Sequence, residues 1–140
     1  MMRKLAAAVA GVGVAMLTIQ VVEMLGHLVY PPPADIEFGD PEQVREFMSA
    51  LPVGSLLFVG AAWVAGTFFG TLAGALISGS RPLPYAVVVG GIVLAGAATM
   101  LLIIPHPWWF TAAAPLSIVG AAILAVYLAP GLQPASSSIE

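Results

Sequence analysis

Residues 52–77 read PVGSLLFVGAAWVAGTFFGTLAGALI, a run without a single charged side chain. A helix needs about 20 apolar residues to cross the roughly 30 Å hydrocarbon core of a bilayer, because each residue adds about 1.5 Å. This run therefore predicts a membrane-spanning helix. Three further runs meet the same criterion, and we place them at residues 5–30, 84–104 and 109–128.

The composition of the whole chain agrees with four spans. Of its 140 residues, 60% are hydrophobic and 8% are charged, with a net charge of −3. A soluble domain carries about 25% charged residues, so a soluble enzyme or a nucleic-acid-binding protein is excluded. The chain has no cysteine, which excludes disulfides and thiolate chemistry. We predict an all-α fold, a single-domain four-helix up-and-down bundle over residues 1–140 in contact with the lipid bilayer.

The charges between the spans predict the orientation. Arg3 and Lys4 precede the first span, and Arg81 lies between the second and third, on the same side of the membrane. The loop at residues 31–51 holds five acidic residues and one arginine. Lys and Arg favour the cytoplasmic side, so both termini, including a cytoplasmic tail at residues 131–140, are expected there. The expected location is the bacterial inner membrane.

The external loop contains the pattern of a short amphipathic helix. Asp40 is placed to cap it, Pro41 suits its first position and Gln43 its third. The apolar residues that follow share one helical face: Val44, Phe47, Met48 and Leu51. We expect this helix to lie on the membrane surface or over the mouth of the bundle.

The first span carries a stripe of three polar residues, Gln20, Glu23 and His27, at positions i, i+3 and i+7. A signal-peptide apolar region is shorter than this run and lacks such residues, so we predict that the segment is kept as a span. His106, at the outer end of the third span, is expected at a similar depth. Because up-and-down order brings the outer ends together, Glu23, His27 and His106 are predicted to converge with Gln20 in one polar intramembrane cluster.

Three interpretations of this cluster remain open. Its residues can form hydrogen bonds that fix helix packing. Glu23, His27 and His106 also supply the two imidazoles and one carboxylate that suit a divalent metal such as Zn²⁺. The third interpretation is a proton or cation transport site centred on Glu23. Nucleophile constellations and phosphate-binding loops are missing from the sequence, so we expect no enzyme activity and no cofactor beyond a possible metal.

Small residues recur every four positions in the second span. Gly66, Gly70 and Gly74, with Ser78 next in step, make a smooth stripe that another helix can approach closely, as in a glycine zipper. This pattern predicts tight helix packing. It is compatible with packing inside the bundle or with self-association through this helix.

Three stretches together resemble a group of small, uncharacterised bacterial four-span membrane proteins. They are VEMLGHLVYPPP at residues 22–33, LPVG at residues 51–54 and PHPW at residues 105–108. The resemblance implies four spans and no particular activity. In architecture alone the chain is also similar to small multidrug-resistance transporters, which have four spans with an acidic residue in the first.

The sequence therefore favours a non-enzymatic membrane protein. It is expected to serve as a structural or accessory subunit of a larger membrane assembly, or as a small homo-oligomer. The alternative is a small proton- or cation-coupled transporter or a metal-binding membrane protein that uses Glu23, His27 and His106.

Overall fold

A computed structural model describes residues 1–32 and 39–132 of the chain. Within this part there are five helices: α1 (Met2–Val29), α2 (Pro41–Ala50), α3 (Val53–Ser78), α4 (Leu83–Ile103) and α5 (Trp108–Leu132). The predicted all-α four-helix bundle with a short extra helix is confirmed. The predicted cytoplasmic tail lies mostly at residues 133–140, outside the described residues. Residues 33–38 of the long loop also lie outside them.

All four long helices are long and apolar enough to cross a membrane. The protein is therefore a multi-pass membrane protein. The predicted start of α1 is three residues late, and α5 continues four residues beyond its predicted end at residue 128. The extension runs through Pro130, and it includes Ala129, which is fully buried in a small cluster with residues of α1, α3 and α4.

The central helix of the bundle is α3. It contacts α1, α4 and α5, while α4 also contacts α1 and α5. Among the described residues, α1 and α5 have no Cα atoms within 8 Å of each other. The bundle is thus built around α3 and α4, with α1 and α5 on opposite sides.

The contact between α1 and α3 is close enough to bring backbone against backbone, with the side chain of Ile19 also lying against Gly66. A Cβ atom added at Gly70 would lie 2.6 Å from the carbonyl oxygen of Gly11, and one at Gly66 would lie 2.9 Å from that of Ala15. One added at Gly74 would lie 2.8 Å from the ring of Tyr85 on α4. The glycine stripe is therefore covered from both sides inside the chain, which leaves no open surface there for self-association.

The short helix α2 lies at one end of the bundle, called here the α2 end. The Asp40 carboxylate accepts a hydrogen bond of 3.0 Å from the backbone N–H of Glu42 and one of 3.1 Å from Gln43 Nε2. The predicted cap is thus present, although the Gln43 side chain bonds to the Asp40 carboxylate rather than to its backbone. Met48 of α2 and Leu51, which follows the helix, pack against the core, so this edge of α2 lies over the bundle mouth, one of the two positions expected for it.

An aromatic group fills the core beneath α2. Phe110 at the start of α5 is buried, and its ring centroid lies 5.8 Å from that of Trp63 on α3 and 5.6 Å from that of Trp109. These rings join α3 to α5 at the α2 end.

Candidate functional site

Of the three polar residues of α1, two lie away from the bundle and the third lies at its edge. Ala7, Gly11, Ala15 and Gly26 are the buried residues of this helix and form its packing face. Gln20 follows Gly11 by nine residues, or two and a half helical turns, and is therefore on the opposite side of the helix. Gln20 and His27 are exposed, and Glu23 is half-buried at the edge of the packing face.

These residues lie on an open surface of α1 to which no other helix contributes. Val21 and Met24 lie beside Gln20, Glu23 and His27 on this surface. Within the described residues, the side chains of Gln20, Glu23 and His27 make no hydrogen bond with another helix. We call Gln20, Glu23 and His27 the polar face of α1.

His106 has a different environment, in the link between α4 and α5. Its Nδ1 lies 2.7 Å from the carbonyl oxygen of Ile104. Its ring is stacked on that of Phe110, with centroids 5.3 Å apart and an interplanar angle of 16°. The imidazole is therefore held by its own link and by the aromatic group of the core.

The predicted convergence of Glu23, His27 and His106 is wrong for the chain as folded. No three His, Asp or Glu side chains among residues 1–32 and 39–132 are grouped so that they would hold a metal ion. The physical reason is the choice of packing face: the small residues of α1 allow close approach to α3, and the polar residues are carried on the other side.

A signal for this arrangement is present in the sequence. Ala7, Gly11 and Ala15 recur every four residues, and Gly26 returns to the same face three turns after Ala15. The polar residues are out of step with this series. Extending the small stripe along the whole helix would have placed Gln20 and His27 on the outer side.

The side chains of the polar face of α1 can form hydrogen bonds with polar groups of a neighbouring helix. The Glu23 carboxyl accepts hydrogen bonds, whereas Gln20 and His27 each offer a donor and an acceptor. Glu23 and His27 are one turn apart, so an acidic and a basic group lie next to each other on the surface. Such a face is complementary to another copy of itself.

Comparison of the chain with protein-family models, curated proteins and solved structures finds no match.

Proposed function

We propose that this protein is a non-enzymatic subunit of a membrane assembly and that the polar face of α1 binds a helix of another membrane chain. The observation that supports the proposal is the position of this face. It lies on a helix of membrane-spanning length, on the side that the protein's own bundle leaves uncovered.

The depth of the polar face makes lipid an unfavourable neighbour. Gln20 lies about 14 Å along the helix axis from Val29, and Glu23 about 9 Å. Polar groups without hydrogen-bond partners are costly in hydrocarbon, and ionisable residues within spans usually face protein or water. Hydrogen bonds between membrane helices contribute about 0.6–2 kcal/mol each. A partner helix at this face would satisfy all three side chains.

A second copy of the chain is the first candidate partner. Two copies in one membrane run in the same direction, so a two-fold axis along the membrane normal brings equal residues to equal depth. Gln20 then faces Gln20 of the second copy, and Glu23 lies one helical turn from the opposing His27. The bacterial inner membrane is the proposed location, on the basis of the resemblance described above.

Cross-linking tests the proposal directly, because the natural chain has no cysteine. Met24 is 58% exposed beside the polar face, and Leu116 is 73% exposed on α5. We expect Met24→Cys to form a disulfide-linked dimer in reconstituted liposomes under mild oxidation. Leu116→Cys is the matched control and should stay monomeric. Adding Glu23→Leu and His27→Leu to Met24→Cys should abolish the dimer.

A photo-reactive amino acid at position 24 extends the test to other partners in the membranes of the source cell. An adduct with another membrane protein, absent when the probe is at position 116, would identify an accessory subunit of a mixed assembly. Adducts with lipid alone at both positions, together with no disulfide-linked dimer, would contradict the proposal.

The proposed orientation has both termini in the cytoplasm and α2 outside. It is supported by Arg3, Lys4 and Arg81 at one end of the bundle and the acidic loop at the other. Reporter domains fused after Arg81 and after Gln133 are expected to read cytoplasmic, and one inserted after Glu42 external. A cytoplasmic signal from the Glu42 insertion would show the reverse orientation.

A further inference from the structure

The end of the bundle opposite α2, called here the basic end, carries an excess of positive charge. Of the four Lys and Arg residues in the chain, Arg3, Lys4 and Arg81 lie here. The acidic residues of the described chain all lie elsewhere, at Glu23, Asp40, Glu42 and Glu46. An anion that approaches this end therefore meets three basic side chains, and none of the carboxylates of residues 1–32 and 39–132 lies there.

The Arg3 side chain is fixed against the turn between α3 and α4. Its Nε donates a hydrogen bond of 3.2 Å to the carbonyl oxygen of Ile77, in the last turn of α3. Its Nη2 lies beside Gly79, where a Cβ atom would be only 3.1 Å away. Gly79 has a φ of 61°, the left-handed conformation that favours glycine at a helix end. The guanidinium is therefore held at the turn that also carries Arg81.

A row of hydroxyl groups stabilises the same turn. Ser78 Oγ and Ser80 Oγ are 2.8 Å apart, and Ser80 Oγ lies 3.4 Å from the hydroxyl of Tyr85. Ser78 also accepts a hydrogen bond of 3.2 Å from the backbone N–H of Ser80. These contacts fix the backbone of the turn at residues 78–80, next to Arg81, and the Arg3 side chain reaches the same turn from α1.

The ends of the apolar helices place this turn near the lipid headgroups of a membrane that these helices span. The start of α1, the end of α3 at Ser78 and the start of α4 at Leu83 all lie at this end of the bundle. Basic residues at this level attract anionic lipids, and arginine is well suited to the oxygens of a phosphate group.

We infer that the basic end binds the phosphodiester headgroup of an anionic phospholipid, held by Arg3 and Arg81 with Lys4 adding charge. The inference is independent of the partner at the polar face of α1. A headgroup bound here would bridge the start of α1 and the α3–α4 turn.

Native mass spectrometry of the purified full chain in neutral detergent tests this site. We expect phosphatidylglycerol to be retained in preference to phosphatidylcholine. Each basic residue near an anionic surface contributes a factor of about five, so the double substitution Arg3→Gln with Arg81→Gln should weaken retention about thirtyfold. Arg45→Gln, which removes an exposed arginine from α2, is the matched control and should retain the lipid normally.

Two further measurements separate the site from a structural role of Arg3. Circular dichroism should show the same helix content in all variants, and Arg3→Lys should keep the lipid preference because it keeps the charge. Equal retention of the two lipids, or equal loss in Arg45→Gln, would overturn the inference. Displacement of the lipid by millimolar inorganic phosphate would assign the site to free phosphate instead.

Discussion

Gly70→Leu is expected to prevent α1 and α4 from docking on α3. Even a Cβ atom at this position would lie 2.6 Å from the Gly11 carbonyl oxygen, 2.7 Å from Ala15 Cβ and 2.9 Å from Val89 Cγ1. The first of these is backbone and cannot rotate away, so the helices must separate. Overpacking costs about 1–3 kcal/mol, which we expect for Gly70→Ala, and the larger Leu side chain should exceed it and abolish the compact bundle.

Unfolding of the purified protein in mixed detergent with increasing dodecyl sulfate, followed by tryptophan fluorescence, measures this effect. Gly96→Leu is the matched control, because no atom lies within 4 Å of a Cβ at that glycine of α4. It should unfold at the same detergent fraction as the natural chain. A Gly70→Leu protein as stable as the Gly96→Leu protein would refute the close contact of α1 and α3.

Phe110→Ala is expected to give the largest loss of stability among the side chains of the core. Phe110 is 3% exposed and contacts Trp63, Trp109 and His106 with its ring. Removing a buried phenylalanine ring costs about 3–5 kcal/mol, because its neighbours lose their contacts and relax only in part. The loss should also loosen His106, whose imidazole is stacked on this ring.

The same unfolding assay measures the change, with Leu116→Ala as the control at an exposed position of α5. The control should shift the transition by no more than about 0.5 kcal/mol. If Phe110→Ala and Leu116→Ala proved equally stable, the aromatic group would not be what joins α5 to α3.

Helices and their bounds were largely predictable because they depend on local properties. The apolar runs of residues 52–77 and 84–104 set the lengths of α3 and α4 to within one residue. Asp40 and the apolar spacing after it gave α2, since a cap and a helical period act within a few residues. The end of α5 was harder, because Pro130 signals a stop, whereas the tertiary burial of Ala129 beside it is not visible in the local sequence.

The polar cluster was not predictable in the same way. Spacing shows that Glu23 and His27 share a face, but not which face of α1 meets the bundle. That choice follows from how closely two backbones can approach, and it is decided by Gly11 and Ala15 against Gly66 and Gly70. His106 was expected beside Glu23 from depth alone, whereas stacking on Phe110 fixes where its ring lies.

The central position of α3 has a consequence for how the protein is made. Chains are synthesised from the N-terminus, and the earlier segments begin to fold first. Since α3 contacts α1 through paired backbones, the first two spans can join while the ribosome is still translating α4. Both α4 and α5 contact α3, so they can pack on the pair of α1 and α3 as they enter the bilayer. The spans already inserted then need no rearrangement.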